Sequence, residues 1–201
     1  MPEFEFIEKG HIYKLNGTVI PSCTSVLPYF YHGNNEDAMT KGSYVHQMIE
    51  LEAKGILDEE TLHPDLKPYL EAYRLFRKQH ELHGIYDIKS GSPHPCVELQ
   101  LAGYSLLVNE NGDKFEGDLL QAPVFEQRLY SPIYRFAGTP DIVALESIPC
   151  LNLKLYAVYL KSTGKYSLEK VRGNLRHNQQ MFLAFLQTHK WRLSHGLLDK
   201  R

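Results

Sequence analysis

YRFAGTPDIVAL, residues 134–145, is an apolar run broken by a Gly-Thr-Pro turn, and it sets Asp141 at the start of a β-branched segment. LKLYAVYLKSTGKY, residues 153–166, is a second apolar run that delivers Lys161 to a polar Ser-Thr-Gly turn. β-branched and aromatic residues bounded by Gly, Pro and Ser predict a strand in each. Residues two apart on a strand share a face, so Tyr159 and Lys161 point together. If the two strands are neighbours, Asp141 and Lys161 meet at one end of a sheet. Upstream, VFEQRLY (residues 124–130) offers Glu126 to the same point if its strand pairs alongside.

Outward from this pair, the rest of the chain divides by period. The N-terminal FEFIEKGHIYKLNGTVIPS alternates about Asn16-Gly17, the strongest short hairpin signal. PSCTSVLPYF begins a short helical turn with Ser22 as its cap, and YHGNN breaks it. Met39, Val45, Ile49 and Ala53 predict a helix from Glu36 to Lys54 with Gly55 as its stop. Pro64 and Asp65 open the next helix, with Leu66, Tyr69, Leu70, Tyr73 and Phe76 in an i, i+3, i+4, i+7 stripe. After Gly84 the period changes to two, and IYDIK, PCVELQL, GYSLLVNENGDKF, PVFEQRLYS and the two opening stretches read as successive strands. Short turns between them predict antiparallel pairing. EKVRGNLRHNQQMFLAFLQTH returns to helical period with Leu175, Met181, Phe182, Phe185 and Leu186 for packing, and WRLSHGLL reads as a closing edge strand. The order implies one α+β domain over 1–201, with a central mixed β-sheet flanked by helices. Within it, 1–83 holds the N-terminal hairpin and helices, and 84–201 the sheet core and C-terminal helix.

Composition narrows the partners. The 201 residues are 43% hydrophobic and 23% charged, enough to bury one sizeable core. No run approaches the roughly 18 apolar residues of a membrane helix, and MPEFEFIEKG has no signal-peptide character, so the expectation is a cytoplasmic protein without a membrane partner. Cys23, Cys96 and Cys150 are far apart and outside any CxxC spacing, which predicts buried thiols rather than a disulfide or zinc framework. Net charge is −2, but residues 1–150 carry a balance of −10 and residues 151–201 one of +8. The basic segment points to an anionic partner, with phosphates the commonest. A solvated basic face is the plainer alternative.

Two carboxylates and a lysine suit metal-dependent phosphodiester hydrolysis. Hard oxygen ligands hold Mg²⁺ or Mn²⁺, the metal polarises the phosphate and acidifies water, and a lysine positions that water. Taken singly, an Asp beside Pro is more often a turn residue and a Lys more often solvated.

The motifs resemble those of a known family. GTPDIV followed by an apolar strand ending in LKST is similar to the PD-(D/E)XK nuclease superfamily, where Pro-Asp on one strand precedes a D/E-x-K on the next. HIYKLNGTVIPSCTSVL, KGSYVHQMIELEAKGILDEE and LKPYLEAYRLFRKQ resemble its phage and RecB-type, lambda-exonuclease-like branch, in which a Gly-x-x-x-His helix precedes the nuclease core. The resemblance spans about residues 11 to 187. It implies a restriction-endonuclease-like core and a metal-dependent DNA exonuclease with a phage-type role in recombination, replication or host defence. By that likeness His46 is a metal ligand, Glu126 the early acid, Asp141 the principal metal ligand and Lys161 the water-orienting lysine. Gln180 matches the glutamine of the following helix, with Ala184 where an aromatic is usual. Lys165, Lys170, Arg172 and Arg176 would track the phosphates of single-stranded DNA or duplex ends, and Tyr166 would stack on a base.

One position departs from the pattern. Tyr159 stands where the acid of D/E-x-K belongs, and a phenol with an ordinary pKa of about 10 brings no charge to a cation near neutral pH. Glu169 is the nearest downstream acid. The departure leaves open a catalytically dead nuclease-fold protein that binds nucleic acid, a second copy of itself, or a viral or host protein. Tyr159 also reads simply as an aromatic filling the space under the sheet.

Overall fold

The computed structural model describes residues 2–27, 36–115, 123–145 and 153–198. The YHGNN segment, Cys150 and Asp199 lie outside them. Three short strands, β1 (Phe4–Ile7), β2 (Ile12–Leu15) and β3 (Thr18–Ile20), form an antiparallel meander. Asn16 and Gly17 turn β2 into β3 with φ of 50° and 73°, the paired left-handed geometry that an Asn-Gly turn supplies. α1 (Cys23–Val26) follows, with Ser22 and Ser25 exchanging side-chain to backbone bonds in a capping box. α2 (Glu36–Ala53) and α3 (Lys67–Gln79) come next, the latter entered through a 3₁₀ turn at Pro64–Leu66.

The central sheet has five strands: β4 (Gly84–Lys89), β5 (Val124–Phe125), β8 (Ile142–Ala144), β9 (Leu155–Leu160) and β10 (Tyr166–Lys170). Their spatial order is β10-β9-β4-β8-β5, with β4 parallel to β9 and antiparallel to β8. The sheet is therefore mixed, and the protein is α+β. β6 (Leu129–Ser131) and β7 (Phe136–Gly138) make a separate hairpin. α4 (Cys96–Glu110) and α5 (Leu175–Ser194) complete the fold.

Strand alternation distributes the core to both faces of this sheet. Tyr86, Ile88, Ile142, Val158 and Leu160 face Val45, Met48 and Ile49 of α2 and the predicted stripe Tyr69, Leu70, Tyr73 and Phe76 of α3. Ile85, Val143, Leu155, Ala157 and Tyr159 face α1, α4, α5 and the β6–β7 hairpin, where Leu101, Leu107, Phe136 and Phe182 are fully buried. The result is helix, sheet, helix, with β4 at its centre. Among the described residues no helix is long and apolar enough to cross a membrane.

Four expectations are corrected. PCVELQL and GYSLLVNENGDKF are not two strands but the single helix α4 followed by a 3₁₀ turn at Gly112–Phe115, because the helix is buried almost all round and so carries no polar face to reveal a helical period. Gly103, read as a break between strands, lies mid-helix because a Cβ there would sit 2.7 Å from the Phe182 ring and 3.1 Å from Cys23 Sγ. WRLS belongs to α5 and not to an edge strand, and the edge is formed instead by β10, paired with β9 across the Ser-Thr-Gly turn. Met39 and Met181, expected in packing stripes, are 59% and 39% exposed.

Substituting Gly103→Ala tests the α4–α5 contact. Helix propensity favours Ala by about 1 kcal/mol, yet the displaced Phe182 ring is locked against Phe136, and overpacking costs about 1–3 kcal/mol. A net loss of stability is expected, read as a lower urea midpoint at unchanged m-value.

Candidate metal centre

One end of the sheet gathers the chemistry. The C-terminal ends of β4 and β5 and the start of β8 lie side by side, since β8 runs antiparallel to both. From these ends Asp87, Lys89, Glu126 and Asp141 reach a cleft of about 650 Å³. α2 supplies its second wall through one helical stripe, Met39, Gly42, Ser43, His46, Gln47 and Glu50, at i, i+3, i+4, i+7, i+8 and i+11. Its neighbouring stripe, Val45, Met48 and Ile49, holds the helix on the sheet.

Asp141 is the hub. It is 5% exposed; its Oδ1 lies 3.1 Å from His46 Nδ1, and its Oδ2 accepts the backbone N–H of Ile88. Its backbone oxygen accepts the Glu126 N–H at 3.1 Å. Glu126 has φ of +49°, a left-handed conformation that costs a non-glycine residue about 1–2 kcal/mol. His46, Glu126 and Asp141 each present a ligating atom within 4.8 Å of the other two. Glu126 Oε1 is buried without a hydrogen-bond partner, a polar atom left for a ligand. One nitrogen and two hard oxygens with such an orphan fit a divalent cation such as Mg²⁺ or Mn²⁺.

Beside this triad sits a second group. Lys89 Nζ lies 2.9 Å from Asp87 Oδ2, and the carboxylate is 1% exposed. Gln100 of α4 joins both: its Nε2 donates to Asp87 Oδ1 at 3.1 Å, and its Oε1 accepts from Lys89 Nζ at 3.1 Å. Gln100 Nε2 also donates to the Tyr104 hydroxyl at 2.8 Å. An acid, one spacer and a lysine on one strand, read by a glutamine with an aromatic four residues on, thus occur at Asp87-Ile88-Lys89 and Gln100–Tyr104.

Burial sets the protonation. It pushes the Glu126 carboxyl up to about 9, helped by the adjacent Asp141 carboxylate. It pushes Asp87 up to about 6, against the pull of the Lys89 ammonium. Burial acts the same way on Asp141, but the His46 imidazolium outweighs it, with Lys89 and the Ile88 amide, and holds that carboxyl below its ordinary range. His46 is raised: desolvation opposes its charge, and Asp141 overcomes it.

Of the sequence-derived residues, His46, Glu126 and Asp141 come together in the cleft, and Lys161 and Gln180 do not line it. β4 is inserted between β8 and β9, so the strand carrying Lys161 is not the neighbour of the strand carrying Asp141. Lys161 is exposed at the β9–β10 turn. Gln180 is exposed because α5 packs through Asn178, Phe182 and Leu186. Tyr159 is 3% exposed in the core beside α4 and α5, paired in register with Lys89, so it is packing rather than a displaced acid. Glu169 is exposed on β10. Tyr166 is no free stacking platform, since its hydroxyl donates to Gln79 Oε1 and meets His80 Nε2 while its ring edges onto Phe76. Lys165, Lys170, Arg172 and Arg176 are exposed on β10 and around the start of α5, none of them lining the cleft. Asp87, Lys89 and Gln100 escaped the sequence reading, although the D-x-K spacing stands in IYDIK and Q-x-x-x-Y in the run after it.

Comparison with protein-family models, with curated proteins and with solved structures gives no match.

These shifts fix the pH behaviour of the metal-free protein. Glu126 holds its proton in the fold, so its contribution is complete below its unfolded pKa of 4.5 and is lost as pH rises towards 9. His46, raised above 6.5, adds a loss in the same direction as pH passes through its folded value. Asp141, lowered below 3.8, acts oppositely and only at acid pH. Thermal stability is therefore expected to decline from pH 5 to pH 9, by up to about 1.4 kcal/mol per pH unit per proton. Glu126→Gln should flatten that decline, and calorimetry across the range checks it.

Proposed function

We propose that this chain is a metal-dependent deoxyribonuclease of PD-(D/E)XK type, with a restriction-endonuclease-like core, hydrolysing phosphodiester bonds in single strands or at DNA ends. The observation that carries this reading is the meeting of Asp141 and Glu126 with the Asp87–Lys89 pair in one cleft. Asp87-Ile88-Lys89 and Pro140-Asp141 stand in reverse order along the chain from the superfamily pattern, yet on adjacent antiparallel strands. Gln100 and Tyr104 supply the glutamine and the aromatic that Gln180 and Ala184 supply only in part. The non-catalytic alternative drew on Tyr159, and a tyrosine that belongs to the core gives it no support.

His46, Glu126 and Asp141 would hold Mg²⁺ or Mn²⁺. Bound there, the cation would polarise the phosphate ester and acidify water. The chain's own residues do the remaining work. Glu126 gives up its proton to become a ligand, so metal affinity rises with pH below about 9. Asp87 and Gln100 fix the Lys89 ammonium at the cleft wall, where it orients the attacking water and meets the charge that grows on phosphate oxygens. Gln100 receives Lys89 on its oxygen and gives its amide hydrogens to Asp87 and Tyr104, so its orientation is determined. The helix on which it rides thereby sets the lysine's position.

Cleavage of linear DNA with Mn²⁺ tests the assignment. Asp141→Asn and Lys89→Ala should each lower kcat by about 10²–10⁴-fold, with Lys161→Ala and Gln180→Ala within about two-fold of the parent. Inactivation by Lys161→Ala with Lys89→Ala unaffected would overturn the residue roles. No cleavage by the folded parent protein under a range of divalent metals would overturn the activity.

A further inference from the structure

A cleft floored by Asp87, Glu126 and Asp141, with Glu50 on its wall, repels a polyanion even after one divalent cation is bound. Charge must therefore come from the walls. Among the described lining residues only Lys89 and Arg128 carry a permanent positive charge, and Lys89 is engaged by Asp87. The Arg128 guanidinium lies over the Phe6 ring, 4.3 Å from its centroid, a cation–π contact that holds it at this wall. Its one carboxylate partner among the described residues, Glu8, is 3.6 Å away and 85% exposed, a pair that water and salt weaken and a phosphate can displace.

Next to it on the same wall is His11, in the turn from β1 to β2. Its φ is +52°, so two of the four described non-glycine residues in left-handed backbone, His11 and Glu126, line this cleft. His11 Nε2 lies 2.8 Å from the hydroxyl of Tyr13, and that hydroxyl lies 2.7 Å from Thr139 Oγ1. Tyr13 is 1% exposed and Thr139 stands two residues before Asp141, so the chain of hydroxyls ties His11 to the strand that carries the metal ligand. With Thr139 donating to Tyr13 and Tyr13 donating to His11 Nε2, the imidazole has its remaining N–H at Nδ1. Two donors thus stand beside the triad: the ring N–H of His11 from the N-terminal meander, and the Arg128 guanidinium from the segment between β5 and β6, packed on the meander's Phe6.

We propose that His11 and Arg128 form a phosphate subsite that grips the nucleic-acid phosphate neighbouring the one hydrolysed, with Tyr13 and Thr139 as positioning residues that orient His11. The occupant is a phosphodiester of a DNA strand, because a guanidinium fork donates to two phosphate oxygens at once. Glu8 is its placeholder in the free protein and swings to solvent when the strand enters. The subsite rests on the nuclease reading for its substrate but not for its binding.

Both are separated by one pair of measurements on the full chain. Binding of a fluorescein-labelled single-stranded oligonucleotide is followed by anisotropy with Ca²⁺ in place of Mn²⁺, and cleavage of the same oligonucleotide is followed with Mn²⁺. Arg128→Met keeps the stem on Phe6 and removes the donors; it should raise Kd about tenfold and reduce the slope of log Kd against log salt by about 0.7. His11→Gly keeps the positive φ and removes the ring, and Tyr13→Phe removes only the hydroxyl; both should weaken binding several-fold. In cleavage the loss should fall on KM more than on kcat, and Mn²⁺-induced thermal stabilisation should match the parent. Parent binding without cutting would overturn the nuclease reading and leave the subsite standing. Cutting by the parent, with unchanged Kd and salt slope in Arg128→Met and His11→Gly, would overturn the subsite. A parent that neither binds nor cuts overturns both.

Discussion

Asp141 must stay ionised in a place where burial alone would neutralise it. An isolated carboxylate at this depth takes up a proton, and this one is prevented by an imidazolium from α2 and an ammonium and a backbone amide from β4. That requirement orders the structure around it. The Ile88 amide is available because β4 runs beside β8, the imidazolium because α2 crosses the end of the sheet, and the ammonium because Asp87 and Gln100 hold Lys89 in place. Glu126, close to the same carboxylate without a cation of its own, takes the opposite course and keeps its proton. Two acids side by side are thereby set to different charge states by their neighbours, which primes the pair for a ligand that repels protons and attracts oxygen.

Much of this was legible in the sequence, and for identifiable reasons. The Asn-Gly hairpin, the Ser22 cap, α2 with its Gly55 stop and the apolar stripe of α3 are local signals, and each sits where spacing put it. Asp141 and Glu126 stand out as carboxylates at the ends of apolar strands, Asp141 after a Gly-Thr-Pro turn, whereas His46 is marked only by the resemblance, through the Gly-x-x-x-His spacing of its helix. Asp87 did not stand out. It lies in a strand whose other residues are buried on both faces, and there an acid reads as an interruption rather than a site.

What sequence spacing could not supply was the order of the sheet. Lys161 looked like the partner of Asp141 because their strands follow one another, and the sheet gives that adjacency to β4, which comes much earlier in the chain. The same long-range pairing explains Tyr159, which is next to Lys89 across the ladder and buried against α4 and α5. α4 was obscured by its own burial, since a helix without a wet face has no period to detect. Lys165, Lys170, Arg172 and Arg176 of the basic C-terminal segment remain surface features, exposed beside and on β10 and around the start of α5, and none lines the cleft wall that Arg128 lines.

The central position of β4 also bears on how the molecule comes into being. Five of its six residues are buried, and both strands that cover its edges, β8 and β9, are made later. A chain emerging from synthesis therefore carries an apolar strand with two bare edges until residues 142–160 have followed. Such a strand is a template for wrong pairing, and closing it requires contacts of long sequence separation, which form slowly. Truncation before β9 should thus yield an aggregating polypeptide and not a smaller working unit. Folding and assembly of the cleft are, for this topology, a single late event.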